Sequence, residues 1–237
     1  MCGYTDFTPG AMLNASEADF KPVYSNPFSL GTRGQQAAIY IAVDSPLTML
    51  CDTPSRYMKE KETTGFISTL PRSYEETVCL DGSMGEYVVI ARRAGNNWYI
   101  GGLTDWNGKE VEIAFDFLGE GDYNLHLLRD GANADKNAQD YVLEDKTVRK
   151  GESIRIRMAS GGGFAMKLIK KYTLPEGKGL YIPEEWEGQD PNDPESQWSY
   201  HRMYCTDNVA IFWQKGFGAD PAEAPELGGQ PMTWDLQ

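Results

Sequence analysis

Between Tyr74 and Lys171 hydrophobic and polar residues exchange places with a period of two, and turn residues recur roughly every 8 to 12 positions. The pattern predicts strands at Glu76–Leu80, Glu86–Arg93, Trp98–Thr104, Glu110–Phe117, Tyr123–Arg129, Tyr141–Val148, Ser153–Met158 and Phe164–Ile169. Turns fall between them at Asp81-Gly82, Ala94 to Asn97, Asn107-Gly108, Gly119 to Gly121, Lys150-Gly151 and Gly161 to Gly163. In Ser153–Met158 the alternation is clean, so one face of that strand is wet and the other packed. Antiparallel strands of this length and spacing make a β-sandwich of about eight strands.

The flanks read differently. In residues 1–73 the segment Gly34–Val43 is apolar on nearly every side, which predicts a packed helix, interrupted by Asp44-Ser45-Pro46. Pro46 to Leu50 begins a second apolar segment, and Asp52-Thr53-Pro54 caps a short helix through Arg56, Tyr57 and Lys59. After Lys171 the chain turns to Pro, Gly and acid, with 12 Asp plus Glu against 3 Lys plus Arg in residues 172–237. Residues 172–197 read as an acidic linker, and Asn208 to Trp213 as a strand beyond it.

Charge narrows the partners. A net charge of -13 repels phosphate backbones and anionic lipid heads, so no nucleic-acid role and no membrane insertion is expected. No stretch reaches the roughly 18 apolar residues of a spanning helix. Met1 is followed by neither a basic region nor an apolar one, so no signal peptide is read in this chain. The four cysteines are scattered without CxxC spacing and read as small buried hydrophobes. Two histidines, His126 and His201, exclude a His-rich metal site and cramp a His-based triad.

Longer stretches carry a resemblance. DFTPGAM at 6–12, NPFSLGTR at 26–33, DSPLTMLCDTPSRY at 44–57, ETVCLDGSMGEYVVIARRAGNNWYIGGLTDW at 76–106, FLGEGDYNLHLLRDGANADKNAQDY at 117–141 and MASGGGFAMKL at 158–168 resemble the end of glycoside hydrolase family 97. Its members are calcium-dependent α-glucosidases and α-galactosidases of Bacteroidota, built as an N-terminal β-sandwich, a catalytic TIM (β/α)8 barrel and a C-terminal β-domain. The resemblance implies that residues 1–73 are the last, incomplete units of the barrel, with Gly34–Val43 an outer helix, and that 74–171 are the C-terminal β-domain. Residues 198–220 resemble the start of a domain of unknown function in surface proteins of the same bacteria, which makes 198–237 a truncated extra domain.

Hydrolysis of a glycoside needs two carboxyl groups flanking the scissile bond. The family's catalytic and calcium-binding carboxylates lie in parts with no counterpart here, so the resemblance implies no catalytic residue, no metal ligand and no calcium bound by this chain. The implied role is structural support of an enzyme that cleaves α-linked oligo- or polysaccharides in the periplasm or at the cell surface. The alternative is a non-catalytic carbohydrate-binding sandwich.

Several residues invite chemistry. Asp6, in a loop after a barrel strand, has the address of a substrate-binding carboxylate, or starts an Asx turn ahead of Thr8-Pro9. Arg33 opens a helix and reads as a surface or framework ion pair. Asn133, Asp135, Asn137 and Glu144 place oxygens at EF-hand spacing, but Ala138 stands where the central glycine belongs, which favours a solvated hairpin loop. Trp98, Tyr99 and Trp106 form either a sugar-stacking platform or, by alternation, partly sandwich core.

Overall fold

The computed structural model describes residues 7–45, 47–171, 200–204, 210–214 and 233–234. Asp6 and the 172–197 segment lie outside the described residues. The chain forms two units, one through Lys171 and one from Tyr172.

Eight strands of the first unit stand in the eight predicted segments: β3 (Glu76–Ser83), β4 (Tyr87–Ala94), β5 (Asn97–Thr104), β6 (Lys109–Ala114), β7 (Asp122–Asp130), β8 (Tyr141–Arg149), β9 (Ser153–Met158) and β10 (Gly163–Lys170). Six make an antiparallel sheet ordered β3-β4-β5-β10-β7-β8, and β6 pairs with β9 as a separate layer. The last strand of this unit, β10, thus sits inside the sheet, with Met166 opposite Ile100 on one side and Leu127 on the other.

Two local expectations are corrected. Asp81-Gly82 is not the first turn: β3 runs on through a bulge between Cys79 and Asp81, and the chain reverses at Gly85, whose φ of 82° suits glycine. The Asp81 carboxylate takes the Gly82 N–H and the Tyr87 hydroxyl, which keeps the bulge in the strand. The fourth strand ends at Ala114 rather than Phe117, because Leu118 N–H turns back to the Phe115 carbonyl.

The layers meet over an apolar core. Val111, Ile113, Ile156 and Met158 from β6 and β9 pack against Val89, Trp98, Ile100, Leu125, Phe164 and Leu168 of the large sheet. The outward residues of β9 stay exposed, as the alternation requires.

The other face of the sheet is covered by α1 (Arg33–Ala42), which leaves no residue exposed. Ala37 and Ile41 lie on Tyr99, Leu128 and Ala165, with Phe66 at the side. This double cover explains why β5 and β10 are buried along most of their length and do not alternate. Close approach needs Gly101, where a Cβ would stand 2.6 Å from the Ala38 carbonyl oxygen. Phe66 comes from α3 (Lys61–Ser68), which follows α2 (Pro54–Lys59) almost directly.

Parallel pairing before β3 is limited to β1 (Asn14–Ala15) with β2 (Ser29–Leu30) and a bridge from Phe7 to Thr48. No barrel is formed by the described residues. In the second unit, β11 (Tyr200–Tyr204) lies between β12 (Ala210–Gln214) and β13 (Thr233–Trp234), all antiparallel.

Candidate functional site

The most elaborate polar arrangement of the first unit is the joint between α1 and the sandwich. Thr32 is the N-cap of α1, and its Oγ1 accepts the Gln35 N–H at 3.1 Å. The same hydroxyl donates to Asp130 Oδ1 at 2.6 Å. Oδ2 of Asp130 accepts the N–H groups of Ala159 and Gly163 at 2.8 and 2.9 Å. One carboxylate from β7 therefore ties the helix start to both ends of the Gly161–Gly163 turn.

The helix backbone joins the same knot. Thr32 N–H bonds the Gly161 carbonyl at 3.0 Å and Arg33 N–H the Ala138 carbonyl at 2.7 Å, so donors that a helix start leaves free are used. Gly34 has no room for a side chain, since a Cβ there would run into the Gly163 carbonyl.

Burial pushes the Asp130 carboxyl above its ordinary range, against the pull of its three hydrogen bonds. The nearby helix N-terminus favours an anion here. Both oxygens are already bonded and the residue is 2% exposed, so this carboxyl is a tie and not a reagent.

Arg33 anchors the other side. Its side chain is fully buried, with Nε to Asn14 Oδ1 at 2.6 Å, Nη1 to Glu60 Oε2 at 2.9 Å and Thr63 Oγ1 at 3.2 Å, and Nη2 to the Met12 carbonyl. Its guanidinium carbon lies 5.8 Å from the centre of the Tyr141 ring on β8. A cation at a helix start opposes the helix dipole, so Glu60 and the carbonyl are what make the position tolerable. The framework ion pair expected of Arg33 is present, in the interior and not at the surface.

The other singled-out residues are not brought together. Trp98 is buried against Phe117, Tyr99 faces the helix side beside Tyr74, and Trp106 is half-exposed with its ring over Gly161. Asp135 binds Arg157 and the Ser160 N–H, and the Ser160 bond above all holds its carboxyl low. Glu144 lies within β8, paired with Lys146 at 2.7 Å and with Arg129, and those bonds lower its pKa. Among the described residues no cluster of three or more His, Cys, Asp or Glu side chains is placed to hold a metal ion.

Sequence reasoning missed Thr32 and Asp130. A Thr immediately before an apolar run was a usable cap signal. Nothing local marked Asp130, although the glycine run 161–163 announced a close backbone approach.

Comparison with known proteins agrees with this architecture. Residues 73–169 match the family described as Glycosyl-hydrolase 97 C-terminal, oligomerisation, and residues 173–236 match DUF6055, a family of unknown function. A retaining α-galactosidase of Bacteroides thetaiotaomicron is 47% identical over 166 residues, which are 70% of this chain and 25% of that enzyme. A probable retaining α-galactosidase of Streptomyces bingchenggensis is 29% identical over 69% of this chain and 23% of its own length. Among solved structures, a glycoside hydrolase family 97 enzyme from Pseudoalteromonas sp. strain K8, in complex with acarbose, superposes with a TM-score of 0.58 at 31% identity, over 60% of this chain and 23% of that one. The chain thus spans about a quarter of the enzymes it matches. Through residues 73–169 the protein belongs to glycosyl-hydrolase family 97, as its C-terminal domain.

Proposed function

We propose that residues 1–171 serve as the C-terminal part of an α-galactoside-hydrolysing enzyme, non-catalytic by themselves, with the sandwich supporting the helices of an adjoining catalytic barrel. The observation that carries this reading is the α1 joint: a helix with no exposed face, clamped on the sheet through Thr32–Asp130 and Arg33–Glu60. A domain whose task was independent ligand capture has no need of such a clamp. α-Galactosides are favoured over α-glucosides because the 47% identical relative is a retaining α-galactosidase, against 31% identity to the acarbose-bound enzyme. Catalytic carboxylates and calcium ligands would come from the part of such an enzyme that lies outside this chain. Secretion to the periplasm or cell surface completes the reading, on the family resemblance; no helix of the described residues is long and apolar enough to cross a membrane.

A chimera tests it. The C-terminal quarter of the Bacteroides thetaiotaomicron enzyme is replaced by residues 1–171, and turnover of 4-nitrophenyl α-D-galactoside is measured. The chimera is expected to keep kcat/KM within about tenfold of the parent, while the 237-residue chain alone turns over nothing. A well-folded but inactive chimera, or hydrolysis by the isolated chain, defeats the proposal.

A further inference from the structure

Phe7 and Thr48 pair in parallel, with the Phe7 N–H on the Leu47 carbonyl at 3.3 Å and the Met49 N–H on the Phe7 carbonyl at 2.9 Å. Between them the chain makes α1, so residues 7–48 are one strand-helix-strand unit. Its two connections are unequal. From α1 to Thr48 the chain needs only residues 43–47, whereas from Phe7 to α1 it takes residues 8–32. Connections of this kind ordinarily take about 2–6 residues, and one beyond about 15 calls for a task of its own.

The long connection is built and not slack. Its two limbs pair in parallel as β1 and β2, with the Ser29 N–H on the Leu13 carbonyl at 2.7 Å and the Gly31 N–H on the Ala15 carbonyl at 3.0 Å. Asn14 is buried on Arg33, and the Met12 N–H reaches Asp52 Oδ2 at 2.9 Å. Asp52 stands just past Thr48, so the connections leaving the two parallel strands meet at their base. Beyond that base, residues 16–28 make an excursion, braced by Ser16 Oγ on Asp19 Oδ2 at 2.8 Å and by Arg56 on the amide oxygen of Asn26.

The tip is not polar. Phe20, Val23 and Tyr24 are exposed on it, Tyr24 completely. Large apolar side chains grouped on one exposed, braced segment mark a contact surface. Topology says which contact: a strand-to-helix connection lies at the C-terminal ends of the parallel strands, and in (β/α)8 enzymes that end binds substrate. An aromatic ring offers its apolar face to the C–H side of a pyranose, and a tyrosine adds a hydroxyl for the sugar's edge. Rings carried out on an excursion reach the part of a saccharide that projects away from the strand ends.

We propose that the 16–28 excursion is a specificity element of the whole α-galactosidase, with Phe20 and Tyr24 stacking on the leaving-group sugar of the substrate. The inference rests on the enzyme reading above and adds to it the residues that recognise the far side of the scissile bond.

The test places the full chain in the Bacteroides thetaiotaomicron enzyme in place of its C-terminal quarter. Then kcat/KM is measured for melibiose, whose leaving group is glucose, and for α-D-galactosyl fluoride, which has no leaving-group sugar. Tyr24→Ala should lower the melibiose-to-fluoride ratio about tenfold and Phe20→Ala about threefold, with Tyr24→Phe keeping most of it. A ratio unmoved in both alanine variants overturns the inference and leaves the enzyme reading intact. An equal fall on both substrates with a lowered thermal midpoint does the same, because it marks the excursion as a packing contact. An unsubstituted chimera that folds but cleaves neither substrate overturns the reading and the inference together.

Discussion

The two covers of the central sheet are built from different interactions. The β6–β9 cover is an apolar seam in which Val111, Ile113, Ile156 and Met158 remove surface from water. The α1 cover has a smaller apolar patch and carries Thr32, Arg33, Gln36, Thr63 and Asp130 buried in and around it. Apolar burial scales with area and tolerates small slides, whereas a buried hydrogen-bonded charge accepts one geometry. The first cover contributes cohesion and the second fixes the direction in which α1, and whatever continues from it, must lie.

Substitutions can break this contrast. The largest effect is expected at Arg33, where Arg33→Met strands Asn14, Glu60 and the Met12 carbonyl and should cost about 3–5 kcal/mol in urea unfolding. Arg33→Lys should cost nearly as much, since one ammonium cannot serve partners spread around a planar fork. Ile113→Ala, in the apolar seam, should cost about 3 kcal/mol, and Ile113→Val only about 1 kcal/mol, a graded response. Equal tolerance at Arg33 and Ile113 would erase the distinction between the covers.

Asp130 gives the smaller, sharper test. Asp130→Ala leaves two N–H groups and a hydroxyl unpaired, at about 2 kcal/mol. Asp130→Asn keeps an acceptor for the N–H groups and a donor for Thr32, so it should cost far less. The carboxyl has its pKa raised in the fold, so the folded state holds the proton more tightly. Its contribution is therefore full below the ordinary aspartate range and falls as pH rises through the folded pKa. The stability of Asp130→Asn relative to the parent should accordingly rise as the pH is raised above the ordinary aspartate range. A flat difference would show that the three hydrogen bonds outweigh burial.

What could be read from the sequence follows the same division. β9 was legible because only one of its faces is covered, leaving a clean alternation. The helix Gly34–Val43 was legible as packed because it lacks a polar face, and the structure begins it one residue earlier, at Arg33. α3 went unread: KETTGFIS has neither a strong cap nor a long apolar stripe, and it is held by tertiary contacts of Phe66 and Thr63. The joint was illegible for a simpler reason. Thr32 and Asp130 lie 98 positions apart, and no local period connects them.

The central place of β10 has a consequence for how the protein is made. A ribosome delivers residues 163–170 after every other strand of the sandwich, so the β3–β4–β5 meander and the β7–β8 hairpin emerge as two halves with bare edges facing a gap. Until that final strand slots between them, neither the helix nor the β6–β9 layer has a finished surface to land on. A chain ending before residue 163 would leave the edges of β5 and β7 bare, and the closing strand covers both at once.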